Sequence, residues 1–284
     1  MDNQIRQYSI IVVTYNNADG LKRTLKSIRQ LDYAQKEVVV IDGDSNDTSL
    51  DVIAEHEDII TTSISERDNG IYNAMNKGLR MATGDYIQIL NSGDTLANNN
   101  VVERMLAALK EEDFPEILYG NMMKSFPDGR LIRDRGYAGN PPTMLGFIRG
   151  TLNHDPVYIR KSLFEKFGYY HEDLPITADW RWYVEAIPFG GIIPVYADID
   201  VTVFDMTGVS ETQIEKREKE RDEELKRILP IGVYNDYMMY RFPLEQMRRI
   251  KRYPLVYKFF YFIERVLFKL EKRKKRVKKE QVYL

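Results

Sequence analysis

Two apolar runs in this chain end in acids, and those acids are its best candidates for chemistry. Val38-Val39-Val40-Ile41 leads into Asp42-Gly43-Asp44-Ser45, and Tyr86-Ile87-Gln88-Ile89-Leu90 leads into Asn91-Ser92-Gly93-Asp94. In an open α/β sheet the carboxyl ends of the strands are where ligands bind. Carboxylates gathered there suit a hard cation, Mg²⁺ or Mn²⁺, held beside a diphosphate. Asp42, Asp44 and Asp94 are expected to converge on such a cation. Thr14, Tyr15 and Asn16 follow the first apolar run, so with Asp42 and Asp44 they can meet a nucleobase edge or ribose.

Three further groups follow. The stretch from Glu66 to Gly78 opens a helix near Gly70, and amides there, with Arg67 and Lys77, can hold phosphate oxygens. Glu66, Asp68, Gly70, Asn76 and Lys77 are its candidate contacts. Asp179, near the start of a second helix, can act as a base toward an alcohol. Trp180 and Trp182, the chain's two tryptophans, can face a sugar, and His154 can touch an acceptor or a phosphate. Each group also has a plainer reading. Acids and glycines make turns, Asp near a helix start favours the dipole, and tryptophans fill cores.

The elements that must position these residues are legible as periodicities. Strands are expected over Tyr8–Val13, Val38–Ile41, Ile59–Ser65 and Tyr86–Leu90, and from Ile117. Between them Leu21, Leu25 and Ile28, then residues 50–56, then Ile71, Met75 and Leu79, then Val101, Met105 and Leu109 mark helices. This alternation over residues 1–125 argues for a doubly wound α/β sheet. Beyond a break at Gly139–Pro142 the order changes. A strand over Val157–Ile159, helices over 163–167 and 177–186, an extended run over 192–204 and a charged helix over 211–229 are expected.

The 284 residues are 43% apolar, enough for a substantial core, and contain no cysteine, which excludes disulfides and thiolate chemistry. Met1-Asp2-Asn3-Gln4 does not open a signal peptide, and no apolar run reaches the roughly 20 residues of a membrane span, so a cytoplasmic protein is expected. The net charge of −2 hides an asymmetry: residues 251–284 carry 12 Lys/Arg against 3 Asp/Glu, leaving −11 on the rest. Such a tail, rich in Tyr and Phe, can rest on an anionic membrane surface or form a subunit contact in a homo-oligomer. Nucleic acid does not suit the acidic body.

Taken together these motifs resemble the family 2 inverting glycosyltransferases of the GT-A fold. The likeness rests on Ser9–Asn16, Val39–Asp47, Gly84–Ile87 and the Asp94 corner, and spans roughly residues 8–210. The segment Asp68–Gly78 is similar to a subgroup that builds bacterial surface polysaccharides. The resemblance implies a mostly parallel, Rossmann-like GT-A domain over 1–210, with a nucleotide-sugar half (1–125) and an acceptor half (126–210). A charged helical extension with a basic aromatic tail follows over 211–284. It also implies a nucleotide-sugar donor (usually a UDP-sugar), a divalent metal on Asp94, Asp179 as catalytic base, and a glycan or lipid-linked acceptor. Two positions depart from the family pattern: Asn91-Ser92 stands where the metal motif usually begins with an acid, and Ala178 precedes Asp179 where Glu is frequent. A nucleotidyltransferase and a non-catalytic nucleotide-sugar binding protein are the competing readings. The first usually opens with a Gly-rich basic loop, which this chain lacks.

Overall fold

The computed structural model describes residues 8–138, 140, 142–206 and 213–280. The expected break around Gly139 and Pro141, and a domain boundary at 210, fall on or beside residues outside this set.

Nine strands form one sheet, in the order β3-β2-β1-β4-β8-β6-β9-β5, with β7 paired to β6. β1 (Tyr8–Thr14), β2 (Lys36–Asp42), β3 (Thr62–Ser65) and β4 (Tyr86–Asn91) are parallel neighbours. β1 is buried along its whole length because helices cover both faces of the sheet, and so its sequence is continuously apolar rather than alternating. β8 (Val157–Arg160) lies antiparallel between β4 and β6 (Ile117–Ser125), and β9 (Val195–Asp205) runs parallel to β6. The strands β1–β4, β6 and β9 therefore share one direction. Opposed to them are β5 (Thr95–Leu96), β7 (Leu131–Asp134) and β8.

The helices pack as their apolar spacing requires. α1 (Ala18–Arg29) buries Leu21, Leu25 and Ile28, and Asn17 caps it by accepting the Gly20 amide at 3.1 Å. α2 (Ser49–Glu55), α3 (Ile71–Met81) and α4 (Val101–Glu111) complete the doubly wound half. α5 (Met144–Arg149), α6 (Ser162–Phe167) and α7 (Ala178–Val184) follow. α7 continues as a π-turn over Glu185–Phe189, where Pro188 denies the ladder a donor. The remaining helices are α8 (Ile214–Ile228), α9 (Ile231–Lys251) and α10 (Pro254–Glu280).

Several expectations shift. The third strand is shorter than 59–65, since Ile59 and Ile60 lie before it. β5, β7 and α5 are short and carry no periodic signal. The chain divides into compact units over Met1–Leu225 and Lys226–Leu284, so most of α8 belongs to the first unit.

Register explains where the acids end up. Thr14 of β1 pairs with Asp42 of β2, and Val13 with Asn91 of β4, so three carboxyl ends lie level. The chain leaves β1 for β2 and β3 on one side, then returns to β4 on the other. That reversal is the place where an open α/β sheet forms a crevice.

Candidate active site

The crevice is a cleft of about 760 Å³. Its wall includes Thr14, Tyr15, Asn17, Arg67, Asp68, Gly70, Tyr72, Asn91, Asp94, His154, Ile176 and Asp205. Asp94 is positioned from three sides. Gly93 turns the chain with φ +113, a backbone angle that favours glycine. Thr24 of α1 accepts the Gly93 amide at 3.0 Å and reaches the Asp94 carbonyl at 2.7 Å. The Asp205 amide, at the end of β9, donates to the Asp94 carboxylate at 2.9 Å. Asp205 in turn pairs with Arg23 at 3.3 Å.

Asp179 lies behind the wall, buried but for 13% of its side chain. The Tyr72 hydroxyl sits 2.8 Å from its carboxylate and 2.8 Å from the Ile176 carbonyl. His154 Nδ1 is 3.5 Å from the other Asp179 oxygen, and its Nε2 is 3.2 Å from Asp155. Burial alone would lower the pKa of His154, but Asp155, Asp179 and Asp94 outweigh it and push it up to about 9. Burial raises Asp179, yet the bonds from His154 and Tyr72 prevail and hold it below the usual carboxylate range. Asp94 and Asp155 behave oppositely: burial, then their mutual repulsion, lifts Asp94 well above that range, and burial lifts Asp155 despite His154. The site thus favours the charged form of Asp179 and the neutral form of Asp94.

The donor set at Asp94 agrees with a hard cation. Asp94 is a buried carboxylate whose negative form is disfavoured by burial and by Asp155, despite the Asp205 amide and His154. Asn91 stands beside it in the wall with its side-chain amide 3.1 Å from His154 Nε2, where a charged imidazole takes the amide oxygen as acceptor. Among the described residues no three His, Asp or Glu side chains form a closed metal site, which leaves room for a diphosphate and water as further ligands.

The sequence profile of Glycosyl transferase family 2 matches residues 9–165, more than half of the chain. The chain belongs to that family. An uncharacterized glycosyltransferase of Mycobacterium tuberculosis is 33% identical over 205 residues, covering 71% of this chain and 76% of the relative. A PGL/p-HBAD biosynthesis glycosyltransferase of Mycobacterium bovis is 27% identical, over 74% of this chain and 81% of its own. Among solved structures, Staphylococcus aureus TarS 1–349 with UDP-GlcNAc superposes with a TM-score of 0.61 at 18% identity, covering 83% and 72% of the two chains. A Pyrobaculum calidifontis mannosyltransferase in complex with GDP-Man and Mn²⁺ gives 0.61 at 18%, covering 84% and 70%. A longer TarS chain is spanned over only 42% of its length. These structural likenesses establish the GT-A fold.

Within this family 2 glycosyltransferase the predicted residues divide. Thr14, Tyr15, Asp68, Gly70, Asp94 and His154 line the cleft, with Asp179 one hydrogen bond behind it. The convergence of Asp42 and Asp44 on Asp94 is a correction. Asp42 is fully buried and is used up by Ser45 and Ser65, while Asp44 faces solvent with φ +67. Asn16 ties its loop to Asn46 and Ser45 rather than facing the cleft. Lys77 is taken by Glu66 at 2.9 Å and by the Arg67 carbonyl at 3.0 Å, so neither Glu66 nor Lys77 reaches the cleft. Asn76 is buried and joins α3 to the 170–172 loop through Tyr170 and Glu172. Trp180 and Trp182 are wholly buried, their indoles donating to the Phe147 and Gly168 carbonyls, so neither ring can meet a sugar without opening the core. Tyr72, Asp155 and Asp205 were not singled out from sequence. The adjacent His154-Asp155 pair was the one available signal.

Proposed function

We propose that this glycosyltransferase moves a sugar from a nucleotide-sugar, a UDP-sugar in the first instance, to a hydroxyl of a glycan or lipid-linked acceptor. The transfer inverts the anomeric carbon and serves bacterial surface polysaccharide synthesis. One observation carries the reading: Asp179 is held ionised beside a nucleotide-sized cleft by Tyr72 and protonated His154. The names of the relatives support the reaction class, and the UDP-GlcNAc complex of TarS supports the donor class.

Asp179, through the 13% of its side chain that stays exposed at the back of the cleft, takes the acceptor proton as the acceptor oxygen bonds to the anomeric carbon and the bond to the diphosphate breaks. A single displacement from the opposite face inverts the anomer, and no covalent enzyme intermediate forms. Tyr72 fixes the carboxylate by hydrogen bonding to it. His154 places positive charge in the wall beside the departing group. Thr14, Tyr15 and Asp68 would flank the nucleotide, and Arg67 the phosphates. A divalent cation on Asp94, Mg²⁺ or Mn²⁺, would neutralise the diphosphate charge.

The exposed aromatic and basic helix α10 is proposed as a peripheral contact with an anionic membrane, since no described helix is long and apolar enough to cross one.

Release of free nucleotide across UDP- and GDP-sugars with Mn²⁺ tests the reading. One donor should be turned over, with Asp179→Asn losing turnover and Asp94→Asn losing Mn²⁺-dependent UDP binding. Pyrophosphate release from a sugar phosphate and a nucleoside triphosphate would instead indicate nucleotidyl transfer. UDP binding with no turnover of any donor would leave a binding protein.

A further inference from the structure

The helix that carries Asp179 has no cap of its own. Thr177 occupies the cap position of α7 and makes no side-chain bond to the first turn. The amides of Thr177 and of Ile176 before it are met from a distant element. Glu220 of α8 accepts the Ile176 amide at 3.1 Å, the Thr177 amide at 2.8 Å and the Thr177 hydroxyl at 2.7 Å, all on one carboxylate oxygen. The same face repeats the grip at the next residue and one turn further on. The Arg221 guanidinium lies 5.6 Å from the Trp180 ring centroid, and the buried Glu224 meets Arg181 at 3.1 Å. Arg181 is also paired with Glu185 at 2.6 Å. Residues 220, 221 and 224 share one face of α8, and that face lies on α7.

α8 lies beyond residues 9–165, the segment matched by the family profile. We infer that α8 is a clasp which positions the catalytic carboxylate, with Glu220 as its positioning residue. The path is short. Glu220 fixes residues 176 and 177; the Ile176 carbonyl and the Asp179 carboxylate share the Tyr72 hydroxyl. Movement of the 176–177 segment would separate Asp179 from Tyr72 and misplace the base relative to the cleft. The inference rests on Asp179 being that base.

A helix cap supplied in trans contributes as a local one does, by satisfying otherwise unpaired amides and by placing negative charge at the positive end of the helix. Its loss therefore opens the first turn of α7 without unfolding the sheet.

The test has one arm without substrate and one with it. In Glu220→Ala, amide exchange over residues 176–183 should quicken roughly two- to thirtyfold, with exchange over β1 and β4 unchanged. Glu220→Gln keeps an acceptor oxygen and should fall between Ala and wild type. Unchanged exchange over 176–183 in Glu220→Ala overturns the proposal whatever the donor proves to be. With the donor found in the nucleotide-release panel, kcat of Glu220→Ala should fall roughly tenfold to a hundredfold, while Mn²⁺-dependent UDP affinity stays at the wild-type value. In an Asp179→Asn background the same change should cost nothing more. An equal loss there, or a loss confined to UDP affinity, would also overturn it. If the wild-type protein turns over no donor, the function proposed above fails, and the exchange arm still decides whether Glu220 positions the segment.

Discussion

At the scale of single residues the site is an arrangement of opposed charges. Asp179 and His154 stabilise one another in their charged forms, whereas Asp94 and Asp155 disfavour theirs. The consequence for pH can be signed. A histidine raised from an ordinary value near 6.5 to about 9 contributes stability that is complete below about 6.5 and is lost as pH climbs through about 9. Asp179 is lowered, so its contribution is complete above the ordinary carboxylate value and is lost only as pH falls through its own. Between neutrality and pH 10 the His154 part should therefore dominate the difference between wild type and His154→Gln. Melting temperatures across that range should converge as pH rises; parallel curves would show that His154 is neutral in the folded protein. The same titration should set the alkaline limb of turnover.

At the scale of elements, close approach decides which residues are interchangeable. Gly78 of α3 faces β1, and a Cβ built there would lie 2.4 Å from the Ile11 Cγ2 atom. Ile11 is fully buried, so neither partner can withdraw into solvent. Gly78→Ala should therefore destabilise the protein by about 1–3 kcal/mol, despite alanine's better helix propensity. Chemical denaturation measures it; equal or greater stability would show that α3 can step away from the sheet.

The strands and amphipathic helices of the first half were legible in the sequence, because their periods and caps are local. What stayed hidden depends on contacts made far along the chain. A buried carboxylate such as Asp42 looks like a turn acid whether or not two serines consume it. Trp180 and Trp182 beside an acid read equally as a sugar platform or as core, and only the packing of α5 and α6 against α7 decides for core. The charged run that became α8 gave no hint of a buried face, since Glu220 and Arg221 read as solvated until α7 is beneath them. Asp94 and Asp179 stand out in the sequence because each sits at the end or start of an element whose type is plain, and the roles proposed for them come from the family resemblance.

At the scale of the whole molecule, charge and apolar surface separate along the chain. In α10, Lys258, Arg265, Lys269 and Lys272 recur at helical spacing, and Val256, Phe259, Ile263, Val266 and Leu270 form another stripe. The latter five are exposed, as are Phe260, Phe262 and Leu267, which widen the apolar arc beyond the narrow seam of a coiled coil. A broad apolar arc beside a cationic stripe favours a lipid surface over a self-paired helix. Residues 1–250, at −11, would be repelled by an anionic leaflet, so the proposed attachment would fall to the segment that carries this helix. Each basic side chain near such a surface is worth about 1 kcal/mol, so changing these four to glutamine should weaken binding roughly a thousandfold. Flotation with phosphatidylserine vesicles at low and high salt measures this, and Phe259→Ser with Phe262→Ser removes the apolar share without altering charge. The wild type should float at low salt and release at high salt; the quadruple variant should stay behind. If wild type and variant float alike, these four cations do not attach the protein; if neither floats and the protein instead changes its oligomeric state with the two phenylalanine substitutions, α10 is a subunit contact.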